Sequence, residues 1–403
     1  MNQLASLGLI LLLALLSGHL VKFLRIPEVT GYILAGIAVG PSVLGWVSHE
    51  NLVALSVFSE VALGLILFSI GSVFDLTRFR EIGRRIFFLT LVESSLAAAL
   101  VIATMVASGQ PWQIALLLGA IAIETAVAST LMVLRELDSE GPLTETLMGI
   151  MAVNNILCLV AFSLAAAVLD LSPSLTSPGS ALNMFYGSMF QLVWTLAGSA
   201  ALGYLCGLML ASWASRVVEH GETLILLAGT VLLCVGVANL LDLSPMLASL
   251  AVGATMVNLS ERGRELFKAL ARTDPPLYAI FFVIAGADLD MSLLGKIGAL
   301  GALYVFSRAG GKFLGARLGA RWLGLQPSIQ RLLGFGLMTQ AGLAIGLTLV
   351  VNRRFPEFAS TVATIVLSSI VIYEMIGPIS TRFALVRSGE AAARRQQRDL
   401  VMD

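Results

Sequence analysis

Four glutamates, Glu60, Glu93, Glu124 and Glu374, and two bases, Arg308 and Lys312, interrupt long apolar runs, while two adjacent amides, Asn154 and Asn155, sit inside another run, residues 147 to 168. An ionisable side chain at the centre of a membrane helix costs at least ~2.5 to 3.5 kcal/mol, so each of the six needs a partner or a task. A carboxyl can hold either a proton or a cation. An amide oxygen can ligate a hard cation but brings no compensating charge and cannot titrate. The chemistry available is therefore reversible proton and cation binding. Arg308 and Lys312 are one turn apart and share a helix face.

These residues stand in a chain that is 57% hydrophobic and 12% charged, with a mean hydropathy of +0.90. Such numbers exclude a soluble enzyme and describe an all-α polytopic membrane protein. Net charge is zero, which gives no reason to expect nucleic acid as a partner. Cys158, Cys206 and Cys234 lie in apolar runs without metal-ligand spacing and read as small reduced hydrophobes. His19, His49 and His220 are scattered near run ends and read as interfacial. No triad, phosphate loop or metal cluster is present, so neither a cofactor nor a resident metal is expected. The first apolar run lacks a basic start and a cleavage site and reads as a retained span.

At about 20 apolar residues per crossing, the chain divides into about thirteen spans. They run roughly 3–22, 28–47, 52–73, 86–107, 112–135, 144–169, 184–213, 222–241, 243–259, 276–289, 293–316, 328–351 and 358–381. With the N-terminus outside, 20 of the 25 Lys and Arg residues fall on the inner side, against Lys296, Arg353 and Arg354 outside. That bias predicts a cell (inner) membrane protein with its N-terminus out and C-terminus in the cytoplasm.

An internal echo suggests the architecture. Phe68, Gly71 and Asp75 close the third span, and Gly286 and Asp290 close the tenth. The spans then divide into two inverted repeats, about 1–170 and 222–385. A linker helix, about 184–213, joins them, and a basic cytosolic tail, 386–403, completes one transmembrane domain over residues 1–403. The repeat-related fifth and twelfth spans are rich in glycine and in hydroxyl or amide residues. The fifth holds Gly119, Glu124, Thr125, Ser129 and Thr130; the twelfth holds Gly334, Gly336, Thr339, Gln340, Gly342 and Gly346. Polar side chains beside glycines can satisfy the backbone of an interrupted helix. Close packing of small residues between helices would use the same composition.

Several segments in one order carry a resemblance that covers nearly the whole chain. They are the run from Pro27 to Pro41, the run from Glu60 to Asp75, Arg135 to Thr144, Leu243 to Ala248, Arg308-Ala-Gly-Gly-Lys312, Gln340 to Ala344, and Glu374-Met-Ile-Gly-Pro378. Together they resemble the monovalent cation:proton antiporter superfamily, in its bacterial branch of sodium/proton antiporters and potassium efflux systems. The resemblance implies thirteen or so helices, two crossed discontinuous helices beside the ion site, a homodimer, and an elevator-like movement that exchanges Na⁺ or K⁺ for H⁺ across the bilayer. Family members often append a cytosolic nucleotide-binding domain, which is not expected here. The resemblance places Arg308 at the basic position near the ion site, and Glu60 and Glu374 at family positions that suit helix-packing ion pairs.

At the ion site the chain departs from the pattern. The family's aspartate-containing pair falls on Asn154 and Asn155, while a run that is normally small and hydroxyl-rich contains Glu124. The expectation is that Glu124, at the break of the fifth span, enters the cavity lined by the two amides and alone alternates between proton and cation, giving electroneutral exchange. Thr125, Ser129, Thr130, Arg308, Lys312, Thr339 and Gln340 complete the expected site. Other readings stay open. Glu124 can pair structurally with Arg308, Arg308 with Glu93 or Glu374, and Lys312 can extend to the interface. The scaffold can also serve as a proton-uncoupled uniporter or channel, or as a non-transporting sensor.

Overall fold

The computed structural model describes residues 3–24, 26–71, 74, 76–170, 186–187, 189–214, 216, 220–260, 263–289, 291–292 and 298–391. Asp75 and Asp290 of the echo, Lys296, and the tail beyond residue 391 lie outside them. Among the described residues every regular element is helical. The helices are α1 (Gln3–Phe23), α2 (Glu28–Val39), α3 (His49–Gly71), α4 (Leu76–Ala107), α5 (Trp112–Ala122), α6 (Val127–Glu136), α7 (Pro142–Asp170), and α8 (Ser199–Ala214), which a π-helical turn at Trp194–Gly198 precedes. The second half holds α9 (His220–Leu240), α10 (Pro245–Leu259), α11 (Gly263–Ala287), α12 (Gly298–Trp322), α13 (Pro327–Gly336), α14 (Gly342–Arg354) and α15 (Pro356–Ser388). Among the described residues, eight helical stretches are long and apolar enough to cross a membrane, with the interrupted Trp112–Glu136 taken as one. The chain is an integral multi-pass membrane protein.

The tenth expected span begins later than its helix does. The segment bearing Arg264, Lys268 and Arg272, expected as loop, belongs to α11. A charged segment can be helical, and a simple hydropathy count truncates the helix there.

The fold divides into two compact units. One draws on residues 1–17, 32–83 and 190–288. Its core gathers Phe68, Leu210, Val231, Cys234, Val252, Met256 and Leu266, and Phe68 stacks on Phe267 at 4.8 Å between ring centroids. Gly253 lies against the backbone of Phe68 and Gly71, where a Cβ has no room. Small residues of this kind let membrane helices approach until their backbones touch.

The other unit draws on residues 18–31, 84–189 and 289–403 and carries every buried acidic or basic side chain among the described residues. Its core includes Leu117, Ile121, Phe162, Tyr304, Leu347 and Val366. Two helices in this unit are interrupted. The chain leaves helical geometry at residues 123–126, between α5 and α6, and at 337–341, between α13 and α14. Neither break contains a proline or a side-chain cap. What holds them open comes from elsewhere in the unit.

Candidate functional site

The two breaks cross and bond to each other. The Ala126 amide donates to the Thr339 carbonyl at 3.2 Å, the Thr339 hydroxyl donates to the Ala126 carbonyl at 3.0 Å, and the Thr130 and Thr339 hydroxyls meet at 3.0 Å. Gly377 on α15 fits under this crossing, since a Cβ there would lie 2.5 Å from Thr339 Cγ2.

Interrupting a helix exposes carbonyls at its C-terminal end and amides at its N-terminal end, with partial negative and positive charge respectively. Two basic side chains from α12 take the carbonyls. Arg308 donates through Nε to the Ala122 carbonyl at 3.1 Å, through Nη1 to Met338 at 3.0 Å, and through Nη2 to Glu124 at 2.6 Å and Thr339 at 3.1 Å. One planar guanidinium thus caps both α5 and α13, and it lies 4.3 Å from the Tyr373 ring centroid. Lys312 Nζ donates to the Ile123 carbonyl at 2.8 Å and to the Thr125 hydroxyl at 2.9 Å. Gln340 donates to the Ile121 carbonyl at 3.2 Å and to the Tyr304 hydroxyl at 3.1 Å.

Carboxyl groups meet the amide ends. The Glu124 carboxylate accepts from the Ala341 amide at 3.2 Å, at the start of α14. Glu374 accepts from the Ser129 hydroxyl at 2.7 Å, in the first turn of α6. The crossing therefore has two negative helix ends covered by bases and two positive ends faced by carboxyls. This is the electrostatic complement that helix dipoles require in a medium without water.

Glu93, on α4, supplies the third carboxyl. It accepts from Lys312 at 2.7 Å, and neither side chain is exposed. Its other oxygen accepts from Ser94 at 3.1 Å and Asn154 at 3.2 Å, and Asn154 also donates to Ser94 at 3.1 Å. The close approach of α12 to α4 makes the pair possible. A Cβ on Gly311 would lie 2.6 Å from Ala97 Cα, and one on Gly315 would lie 2.7 Å from Glu93 Cα.

Several expectations are corrected by this geometry. Asn154 is fully buried and bonded to Glu93, so no hydrogen bond joins either asparagine to Glu124; Asn154 reaches that break through Glu93 and Lys312. Among the described residues Arg308 pairs with no carboxylate, because its donors are spent on carbonyls. Lys312 does not extend to the interface, because Glu93 and the α5 end hold it inside. Among the described residues Glu374 has no basic partner, and Glu60, expected in an ion pair, is exposed and accepts from Asn239 at 3.2 Å. The structure brings Glu124, Thr125, Ser129, Thr130, Arg308, Lys312, Thr339 and Gln340 together around the crossing. Asn155 is half-buried, and its Oδ1, like that of Asn154, has no donor. Ser94, Tyr304 and Tyr373 were missed, although each is one residue or one helical turn from a charge already singled out.

Two interrupted helices that cross in a membrane, with titratable side chains at the crossing, define a secondary active transporter. The chain belongs to the sodium/hydrogen exchanger transmembrane family, whose model matches residues 8–386. It is 25% identical over 384 residues to the ammonium/H(+) antiporter subunit AmhT of Alkalihalophilus pseudofirmus, covering 94% of this chain and 95% of the relative. It is 26% identical over 301 residues to the iron transporter MagA of Paramagnetospirillum magneticum, covering 73% of this chain but only 65% of that protein. The fold matches two structures of the sodium proton antiporter MjNhaP1 from Methanocaldococcus jannaschii. One, at pH 8, has a TM-score of 0.67 at 16% identity, covering 97% of this chain and 98% of the other; the second, from electron microscopy, has a TM-score of 0.72 at 17% identity, covering 97% of both.

Proposed function

We propose that this protein exchanges a monovalent cation for a proton by alternating access, and that the Glu124 carboxyl is where one replaces the other. The observation that carries this reading is the state of Glu124. Its carboxyl is 1% exposed and its hydrogen bonds come from one backbone amide, Ala341. Both neighbouring bases are committed, Lys312 to Glu93 and Arg308 to carbonyls. A buried carboxyl without a direct basic partner is stabilised by a proton or by a cation. The donor-free oxygens of Asn154 and Asn155 offer neutral ligands to the same cation from α7.

One carboxyl that holds one proton or one cation gives one-for-one, electroneutral exchange. Because the crossing, α4 from residue 84 on, α7, α12 and α15 fall in one compact unit, we infer that the unit carries the site as a body, in an elevator-like movement. The inner-membrane location, the outward N-terminus, the inverted-repeat plan and a homodimer belong to the same proposal. Na⁺ and K⁺ are the cations expected, and the AmhT relative adds ammonium.

The test is dye-monitored proton movement in proteoliposomes under inward gradients of Na⁺, K⁺ or ammonium. Wild type dissipates a pH gradient with at least one of them, and Glu124→Gln loses this. Unaltered exchange in Glu124→Gln overturns the role of Glu124, and cation flux indifferent to the pH gradient overturns antiport.

A further inference from the structure

We propose that Glu374 is the second half of the exchange site, so that Glu124 and Glu374 share one exchangeable charge. The proposal rests on the antiport reading above and adds a residue to it. Among the described residues, five acidic or basic side chains are buried: Glu93, Glu124, Glu374, Arg308 and Lys312. Three carboxyls thus stand against two bases. Glu93 and Lys312 form a direct pair and cancel. Arg308 leaves one positive charge for two carboxyls, which face the two amide ends of the same crossing, Glu124 at Ala341 and Glu374 at Ser129. A low-dielectric interior favours the neutral total, and that total is reached when one of the two carries a proton or a bound cation.

The atoms of Glu374 point the same way. Its Oε2 accepts from Ser129, but Oε1 is buried with no hydrogen-bond partner. A buried, ionised and unpartnered carboxylate oxygen is costly; as a hydroxyl or as a cation ligand the same atom bears no such cost. Four residues on, Pro378 has no N–H to offer the Glu374 carbonyl, so this turn of α15 presents acceptors without helical donors. The charged group that acts on Glu374 is Glu124 from the break, and Tyr373 precedes it on its own helix. Among the described residues no base reaches Glu374 within ion-pair distance.

The exchange step then balances as follows. A cation enters from the open side, the O–H bond of the protonated carboxyl breaks, the proton leaves to water on that side, and the cation takes its place between the two carboxyls. The charge of the buried core does not change. Removing either carboxyl leaves one carboxylate against Arg308 with no proton to give up, so both residues are needed.

The experiment uses the full chain in detergent and in proteoliposomes. Glu374→Gln keeps an acceptor for Ser129 and nearly the same shape. It is expected to lower Na⁺-, K⁺- or ammonium-driven proton exchange at least tenfold and to abolish proton release when cation is added to purified protein in weak buffer. Glu374→Asp is expected to retain exchange with a displaced pH profile, which a purely structural acceptor for Ser129 would not produce. If wild type exchanges and Glu374→Gln matches it in rate and pH profile, the proposal is overturned while the antiport reading survives. If Glu374→Gln does not fold, Glu374→Asp decides, and an unchanged profile overturns the proposal. A wild type that moves protons against none of the three cations overturns both.

Discussion

Lys312 and Glu93 meet at 2.7 Å with no exposure of either side chain, and the pair joins the first interrupted helix to the helix that carries the asparagines. Lys312 holds the end of α5 with one bond and Glu93 with another, and Glu93 in turn holds Asn154.

Breaking this pair from one side leaves a buried, uncompensated charge, which costs ~3–5 kcal/mol. Lys312→Met is therefore expected to lower the melting temperature in detergent sharply. The double variant Lys312→Met, Glu93→Gln removes both charges and should recover much of the loss. A double variant no more stable than Lys312→Met would show that the pairing is not what the single change disrupts.

Gly315 sets how closely α12 approaches α4. A methyl there meets Glu93 Cα at 2.7 Å and the Glu93 carbonyl at 3.0 Å, both backbone atoms that cannot swing aside. Gly315→Ala should destabilise the protein by ~1–3 kcal/mol, with exchange falling because Lys312 and Glu93 separate. Differential scanning fluorimetry alongside the liposome assay measures both, and a variant with wild-type melting contradicts the packing described.

The two asparagines should respond differently to the same substitution. Asn154→Asp replaces a donor to Glu93 and Ser94 with a carboxylate beside a carboxylate, and is expected to fold poorly or lose exchange. Asn155→Asp adds a titratable group at an oxygen that has no donor. Exchange in that variant should become sensitive to an imposed membrane potential, because more than one proton then moves per cation. Vesicles clamped with valinomycin and K⁺, with Na⁺ as the driven ion, distinguish the two; identical behaviour would count against the different surroundings of the two amides.

Arg308 reaches four carbonyls on two breaks with a planar fork that a lysine cannot imitate. Arg308→Lys offers three donors from one nitrogen where the guanidinium serves four carbonyls, so at least one carbonyl loses its donor from α12, at ~1–3 kcal/mol if it is left without another. Thermal melting should report a loss of that order, and hydrogen exchange should rise at residues 123–126 and 337–341. Unchanged protection at the second break would mean that Arg308 does not hold it.

Much of this was legible in the chain. Composition announced the membrane, and glycines beside Glu124, Thr125, Thr339 and Gln340 marked both interruptions. The partners of the charges were not legible, because they depend on contacts between distant segments. Lys312 and Glu93 are 219 positions apart, and they meet only because Gly311 and Gly315 bring two helices into backbone contact. Arg308 looked like a mate for a carboxylate, yet an interrupted helix offers acceptors that no side-chain inventory counts. The absence of proline or caps at the breaks has the same origin: their stability is tertiary.

One contact away from the crossing has a practical reach. Just after α15, the Glu390 carboxylate receives the amides of Leu143 and Thr144, at 2.7 and 2.8 Å, and the Thr144 hydroxyl, at 2.7 Å, closing the start of α7. The helix of the asparagines is thus tethered at its entrance by the segment that follows the last helix. An antibody, a fusion partner or a protease acting there takes hold of α7 by a handle, and reporter proteins joined ahead of Glu390 would be fused to a loosened transporter.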